Sequence, residues 1–279
     1  MRIGIDSYSY HRLLGELRSG EVPAAERFAT GDLDPIREAR ALGVDGVSLE
    51  TCFLEPPDRL DTTALAGAAG PLEVVFAWGA PNGLAFGRDE AALPALHAWL
   101  ALAASLGHRV MRIVVGGPSL RGREPVADQL ERVAPPLSEA ARRAEAAGVT
   151  LALENHGDLT AGDLDSLLER VGSPALGVCF DAANALRVGD DPVAAAQLLL
   201  PAIRMVHLRD SGPPEGADPV AGPPSVPYGT GVVPIDGVLH TLAAGGFDGL
   251  VCAEVAQVAP GVDERVLVAE YVGWLREHG

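Results

Sequence analysis

Short apolar runs rich in Val, Ile and Leu alternate along the chain with Ala-, Leu-, Glu- and Arg-rich stretches whose apolar positions recur at helical spacing. The short runs predict eight strands: Arg2–Ser7, Gly46–Leu49, Leu72–Ala77, Arg109–Val115, Thr150–Glu154, Leu176–Phe180, Arg204–Leu208 and Gly249–Glu254. The longer stretches predict helices over Asp34–Leu42, Thr62–Ala69, Glu90–Leu106, Pro125–Ala147, Ala161–Val171, Pro192–Leu200, Ile235–Ala244 and Glu264–Glu277. Thr160 and Asp191 are side chains of the N-capping type. Gly43, Gly107 and Gly148 stand where a helix should stop, because glycine takes up left-handed backbone without strain.

Eight strands, each followed by a helix, in an unbroken pattern over 279 residues, imply an α/β fold of the (β/α)8 or TIM-barrel type, with residues 1–279 as one domain. A doubly wound sheet is the other arrangement this alternation allows. It would place a glycine-rich turn after the first strand, where the chain has Asp6-Ser7-Tyr8-Ser9-Tyr10 and no GxGxxG. The Gly- and Pro-rich stretch 211–226 therefore reads as a long loop after strand seven rather than a linker between domains.

In a barrel of this kind the working face is formed by the C-terminal ends of the strands. Strand five ends LALENH with Glu154 and His156, and strand six ends GVCFDAAN with Asp181 and Asn184. Strand seven ends MVHLRD with His207, Arg209 and Asp210, and strand eight ends VCAEV with Glu254. Glu154, Asp181, His207 and Glu254, set at one height on four adjacent strands, would aim three carboxylates and an imidazole at one point. Like charges so close need a cation. Three oxygen donors, one nitrogen and no thiolate suit Mn2+ best, with Mg2+ or Co2+ close behind and Zn2+ compatible. The residues two positions earlier, Ala152, Cys179, Met205 and Cys252, should point inward one layer deeper; all are small or soft, so the two cysteines read as barrel filling rather than ligands.

Each of these residues has an ordinary structural reading as well. A strand-end carboxylate is commonly a helix cap or half of an ion pair, His156 can serve a structural hydrogen bond, Asn184 a turn, and Arg209 can pair with Asp210. Asp6, Tyr8, His11, Glu50 and Trp78 fall near the ends of strands one to three, where they could line the pocket.

Composition narrows the partners. There are 38 acidic residues against 21 basic ones, a formal charge of −17, so the field of the whole molecule repels nucleic acid and anionic lipid. Every basic residue is arginine, which removes Schiff-base, P-loop and general-base lysine chemistry. Cys52, Cys179 and Cys252 are odd in number and widely spaced, unlike a disulfide framework or a zinc site. With no apolar stretch of signal-peptide or membrane-span length, the expected setting is cytoplasmic. A homo-oligomer is compatible with such a barrel.

Glu154 in LENH, Asp181 in FDAAN, His207 in VHLRD and Glu254 in the last strand, with little more than one helix after it, resemble the xylose-isomerase-like barrel superfamily of sugar isomerases and epimerases. The stretch YGTGVVPIDGVLHTLAAGGFDGLVCAEV also looks like that superfamily, whose members often carry a G-x-G-x-x-D/P segment before the last helix–strand pair. The resemblance covers essentially the whole chain, and its specific part is the second half. It implies that Glu154, Asp181, His207 and Glu254 hold one divalent metal, that Glu154 and Glu254 double as the acid/base pair, and that His156 and Arg209 touch a small carbohydrate.

The sequence departs from the narrower groups. It lacks the histidine-rich loops of the apurinic-site endonucleases. Asn184 stands where ketose 3-epimerases tend to have histidine, and Arg209 where inosose dehydratases usually have lysine. The expected reaction is isomerisation or epimerisation of a ketose or keto-sugar through a metal-stabilised enediolate. Glu154 and Glu254 would move the proton, His156 would assist, and Arg209, Asn184, Tyr8 and Trp78 would contact substrate. If His156 acts as an acid toward a β-leaving group, the same chemistry becomes that of a lyase, an inosose-type dehydratase or a cleaver of 3-keto-glycosides. A non-catalytic binding subunit is the third reading.

Overall fold

The computed structural model describes residues 1–17, 21–24, 27–28, 33–213, 217–218, 220 and 222–279. Eight parallel strands close into a barrel: β1 (Arg2–Asp6), β2 (Gly46–Glu50), β3 (Glu73–Trp78), β4 (Val110–Ile113), β5 (Thr150–Glu154), β6 (Leu176–Asp181), β7 (Ile203–Leu208) and β8 (Leu250–Ala253). Each pairs with its neighbours in chain order, and β8 closes on β1 through Arg2 opposite Leu250 to Ile5 opposite Ala253. The outer ring consists of α1 (Asp34–Leu42), α2 (Thr62–Ala69), α3 (Ala92–Ser105), α4 (Val126–Ala147), α5 (Ala161–Val171), α6 (Pro192–Leu199), α7 (Ile235–Ala244) and α8 (Glu264–His278).

The helix signals act as expected. Thr160 and Asp163 form a reciprocal capping box at the start of α5, and Asp191 accepts hydrogen bonds from the N–H groups of Val193 and Ala194 at the start of α6. Gly43 and Gly148 end α1 and α4 with φ of 64° and 69°, a backbone that a β-carbon would strain. The third helix is shorter than predicted, beginning at Ala92 rather than Glu90. The fourth strand is also shorter, because its residues leave the ladder at Ile113.

Among the local elements not foreseen, two lie beside the strand ends of the second half. Asp181 ends β6 and at once caps a short helix, Ala182–Val188, by accepting the Asn184 N–H at 2.9 Å. The loop after β7 is pinned at its base by an antiparallel pair, Asp210–Ser211 with Ser225–Val226. Residues 214–216, 219 and 221 of the predicted 211–226 loop lie outside the described residues. Asp210 faces this loop and not Arg209: its carboxylate accepts the N–H groups of Gly229, Gly231 and Val233 at 2.9–3.1 Å. A β-carbon at Gly231 would sit 2.2 Å from Asp210 Oδ1, so the glycine is what lets the loop close over the carboxylate.

Period-two alternation sorts the barrel interior. Val75, Ala152, Cys179, Met205, Leu250 and Cys252 form one buried cluster inside it, and Ala152, Cys179, Met205 and Cys252 are the residues expected beneath the strand ends. The opposite parity, including Ile5, Val47, Leu49, Phe76, Met111, Ile113 and Val206, packs outward against the helices. Among the described residues no helix is long and apolar enough to cross a membrane.

Candidate active site

The inward positions above that cluster are almost all charged. Asp6, Glu50, Arg112, Glu154, Asp181, His207, Arg209 and Glu254 are each less than 10% exposed and converge at the C-terminal end of the barrel. Register places Glu154 opposite Cys179, Asp181 opposite His207, and His207 opposite Cys252. The tilt and shear needed to close a parallel barrel stagger equivalent positions from strand to strand.

The side chains converge. His207 Nδ1 lies 3.6 Å from Glu154 Oε2 and 3.7 Å from Glu254 Oε2, while Nε2 faces Asp6 Oδ2 at 3.5 Å. Asp181 Oδ2 is 3.4 Å from the Arg209 Nε, which is also 3.9 Å from Glu254 Oε2. Asn184 ties the carboxylates together. Its side-chain amide donates to Asp181 Oδ2 at 2.8 Å and Glu154 Oε1 at 3.3 Å, and its oxygen accepts from Arg209 Nη2 at 3.1 Å. Asn155 locks β5 to β6 by exchanging two 2.7 Å hydrogen bonds with the Asp181 backbone.

Arg112 was not foreseen as a site residue. It points inward from β4, its Nε donates to Glu154 Oε2, and its Nη1 lies 3.3 Å from Glu50 Oε1. A signal existed: an arginine inside the apolar run Val110–Val115, at the parity of the barrel interior. Two other expectations are corrected. Trp78 does not line the cavity; on β3 it shares the outward parity of Phe76 and packs in the core beneath the helices. His11 is buried between the Tyr8 carbonyl and Glu21, each 2.8 Å from a ring nitrogen, and does not face the cavity.

The cavity itself holds about 170 Å³ and is walled by Tyr8, Glu50, Arg112, Glu154, His156, Asn184, Arg209 and Glu254, with Glu16, Cys52 and Arg187 among its remaining residues. It is smaller than the pockets that take drug-sized ligands, a scale suited to one small polar molecule. Tyr8 is fixed at its edge by donating to Glu16 Oε1 at 2.9 Å.

Five buried carboxylates meet two guanidiniums here, a surplus of three negative charges when all five are ionised. Burial pushes the Glu254 carboxyl well above its usual range, with Asp181 adding to the effect and Arg209 opposing it. Glu50 is raised to about 8, chiefly by burial, against the pull of Arg112. Burial would raise Glu154 too, but Arg112 and then His207 outweigh it and hold that carboxyl down at about 2.

The residues fit a divalent cation. Both nitrogens of His207, Glu254 Oε2 and Asp6 Oδ2 are buried without a hydrogen-bond partner, and a dication would cut the surplus charge to one. The 3.6 and 3.7 Å separations are too long for hydrogen bonds, but near the roughly 3–3.5 Å between neighbouring donors on one ion with bonds of about 2.1 Å. Cys179 also offers its sulfur within 4.8 Å of donor atoms of Glu154 and His207. It belongs to the apolar cluster below, where burial drives its thiol pKa well up and keeps it neutral.

Comparison with known proteins agrees with this architecture. The family described as the xylose isomerase-like TIM barrel matches residues 36–278. The 2-epi-5-epi-valiolone 7-phosphate 2-epimerase of an Actinoplanes species is 33% identical over 207 residues, which span 70% of this chain and 74% of that protein. Among solved structures, L-ribulose 3-epimerase superposes with a TM-score of 0.73 at 20% identity, covering 99% of this chain and 94% of the other. The probable 3-DHS dehydratase AsbF of Bacillus anthracis superposes at 0.71 with 15% identity and full coverage of both chains, 100% each. At these identities the two structures speak for the fold.

Proposed function

Because the chain belongs to the xylose isomerase-like TIM-barrel family, we propose that it is a divalent-metal-dependent epimerase or isomerase of a ketose or keto-sugar. The observation that carries the reading is the pair of buried glutamates, Glu154 from β5 and Glu254 from beyond β8, that approach the same His207 nitrogen at 3.6 and 3.7 Å on the wall of one small cavity. Two carboxylates so placed can take a proton from carbon and return one. Their environments differ, as the roles require: Glu154 is held ionised by Arg112, whereas burial favours the protonated form of Glu254. A divalent cation on Glu154, Asp181, His207 and Glu254, with Mn2+ the best match to the donors, would supply Lewis-acid stabilisation of the enediolate oxygens.

The rest of the chemistry belongs to the side chains. Glu154 and Glu254 take the carbon-bound proton and return one. Arg209 and Asn184 orient the sugar hydroxyls between Asp181 and Glu254, and Tyr8 closes the edge. The relative from Actinoplanes is named as an epimerase, which favours epimerisation over the alternatives. A lyase is the second reading, favoured by His156 on the same wall, where it can protonate a β-leaving group. A carbohydrate substrate, a cytoplasmic setting and a single catalytic domain complete the proposal.

The test is exchange in D2O. With Mn2+ and a panel of ketopentoses and ketohexoses, a substrate should gain one solvent deuterium at carbon with no other change in mass, whereas a lyase would release water or an aglycone. His207→Ala should lose the bound ion, measured by elemental analysis, and unchanged metal content in that variant would overturn the ligand set. No exchange with any ketose and no metal retained by the wild type would overturn the function.

A further inference from the structure

Two buried polar atoms on the β2–β4 side of the cavity have no hydrogen-bond partner: Nη1 of Arg112 and Oε2 of Glu50. Both side chains are 3% exposed, and both form part of the cavity wall. A buried polar group left unmet is costly, so two on one wall call for an occupant.

The backbone explains how they come together. Glu50 on β2, Ala77 on β3 and Arg112 on β4 are at one level, since Glu50 pairs with Ala77 and Ala77 with Arg112. The middle strand offers only a methyl group, so the flanking side chains reach across it, and Nη1 comes to 3.3 Å from Glu50 Oε1. The separation suits an ion pair, but its angles do not make a hydrogen bond, so Oε2 and the Nη1 protons are left unmet behind the cavity wall that the two side chains help to form. Both ends are held. The Arg112 Nε is bonded to Glu154, and the Glu50 N–H donates to Ser7 Oγ at 2.7 Å.

The chemistry of the pair selects its ligand. A metal ion answers the open donors around His207, but it would meet the Arg112 guanidinium here. An anion would meet Glu50. A neutral hydroxyl satisfies both, giving its proton to Glu50 Oε2 and accepting one from Arg112 Nη1. We propose that Arg112 and Glu50 form a subsite that reads one hydroxyl of a polyhydroxy substrate, beside the proposed metal ligands. The proposal rests on the cavity being the sugar site. It makes specificity a property of the β2–β4 wall: a site built to bond a hydroxyl discriminates against the analogue lacking it by on the order of 10³-fold or more, because the buried partners are then left unpaired.

Two measurements test it. A crystal structure of the Mn2+-loaded full chain, soaked in glycerol, should place a glycerol hydroxyl or a water oxygen within about 3.2 Å of both Arg112 Nη1 and Glu50 Oε2. Direct closure of Nη1 onto Glu50, or an anion between them, overturns the proposal. On the ketose that the wild type exchanges, Glu50→Ala should lower kcat/KM about 10²-fold or more, while one mono-deoxy analogue, itself poor with the wild type, is changed less than about threefold. Equal losses on the parent sugar and every deoxy analogue overturn it. A wild type that exchanges no ketose defeats the function proposed above, and the soaked crystal then decides the subsite by itself.

Discussion

The two halves of the barrel rim carry different charge. Beyond β5–β8 stand Glu154, Asp181, His207 and Glu254, acceptors gathered about an imidazole, with Arg209 as their cation. The rim of β1–β4 offers Asp6, Glu50, Ala77 and Arg112, and its arginine reaches over to Glu154. The comparison teaches that neither half is electrostatically complete. The later half gathers the carboxylates and the imidazole, and the earlier half holds part of the counter-charge that lets them be buried.

The largest effect should fall on the later half. Glu254→Gln keeps the shape of the side chain and its place beside Arg209, but removes the carboxyl proposed to move the proton. Exchange should fall by about 10³- to 10⁴-fold, with the melting temperature little changed, because burial already favours the neutral form of Glu254. Solvent-deuterium incorporation followed by mass spectrometry, beside a thermal melt, checks both arms. Retention of more than about a tenth of the activity would move proton transfer away from Glu254.

In the earlier half the matching change is Arg112→Leu. It strands Glu50 and Glu154 in a buried site without their cation, and losing one partner of a buried pair costs about 3–5 kcal/mol. Denaturant unfolding without metal measures it. The comparison sharpens on adding Mn2+, which should restore much of the loss by binding the native state alone. A variant as stable as the wild type in the absence of metal would show that Glu154 needs no support from β4.

The sequence revealed the later half better for a physical reason. In β5–β8 the ligand-type residues follow apolar runs, so a carboxylate or imidazole at the strand end stands out against its own strand. Arg112 lies within an apolar run, where an arginine reads as an outward-facing or snorkelling side chain until parity and register set it opposite Ala77. The strands and helices themselves were legible from periodicity. The stagger that puts Glu154 opposite Cys179 was not, because shear belongs to the closed barrel and no single strand encodes it. Trp78 shows the same gap: one residue of parity decides whether an aromatic faces sugar or core. The second task of Asp181, capping Ala182–Val188 through the Asn184 N–H, hid behind its candidacy as a ligand.

The smallest effect lies at the seam between the halves. Asp158 follows β5 and is buried, with one oxygen accepting from the Leu159 N–H at 2.9 Å and the other, Oδ2, unpartnered and 2.8 Å from where a β-carbon on Gly116, beyond β4, would stand. Burial raises its carboxyl to about 6, against the pull of that N–H. The unfolded chain titrates this group near about 3.9, so between that pH and about 6 the native state binds the extra proton. Its contribution to stability is therefore full below the unfolded value and is lost as pH rises through about 6. Asp158→Asn preserves an acceptor for the Leu159 N–H and abolishes the titration. Relative to the wild type it should gain about 1–2 kcal/mol between pH 4.5 and pH 7, read from urea midpoints at the two values. Parallel pH curves for the two proteins would mean that water reaches Oδ2 and that the β4–β5 seam is open to solvent.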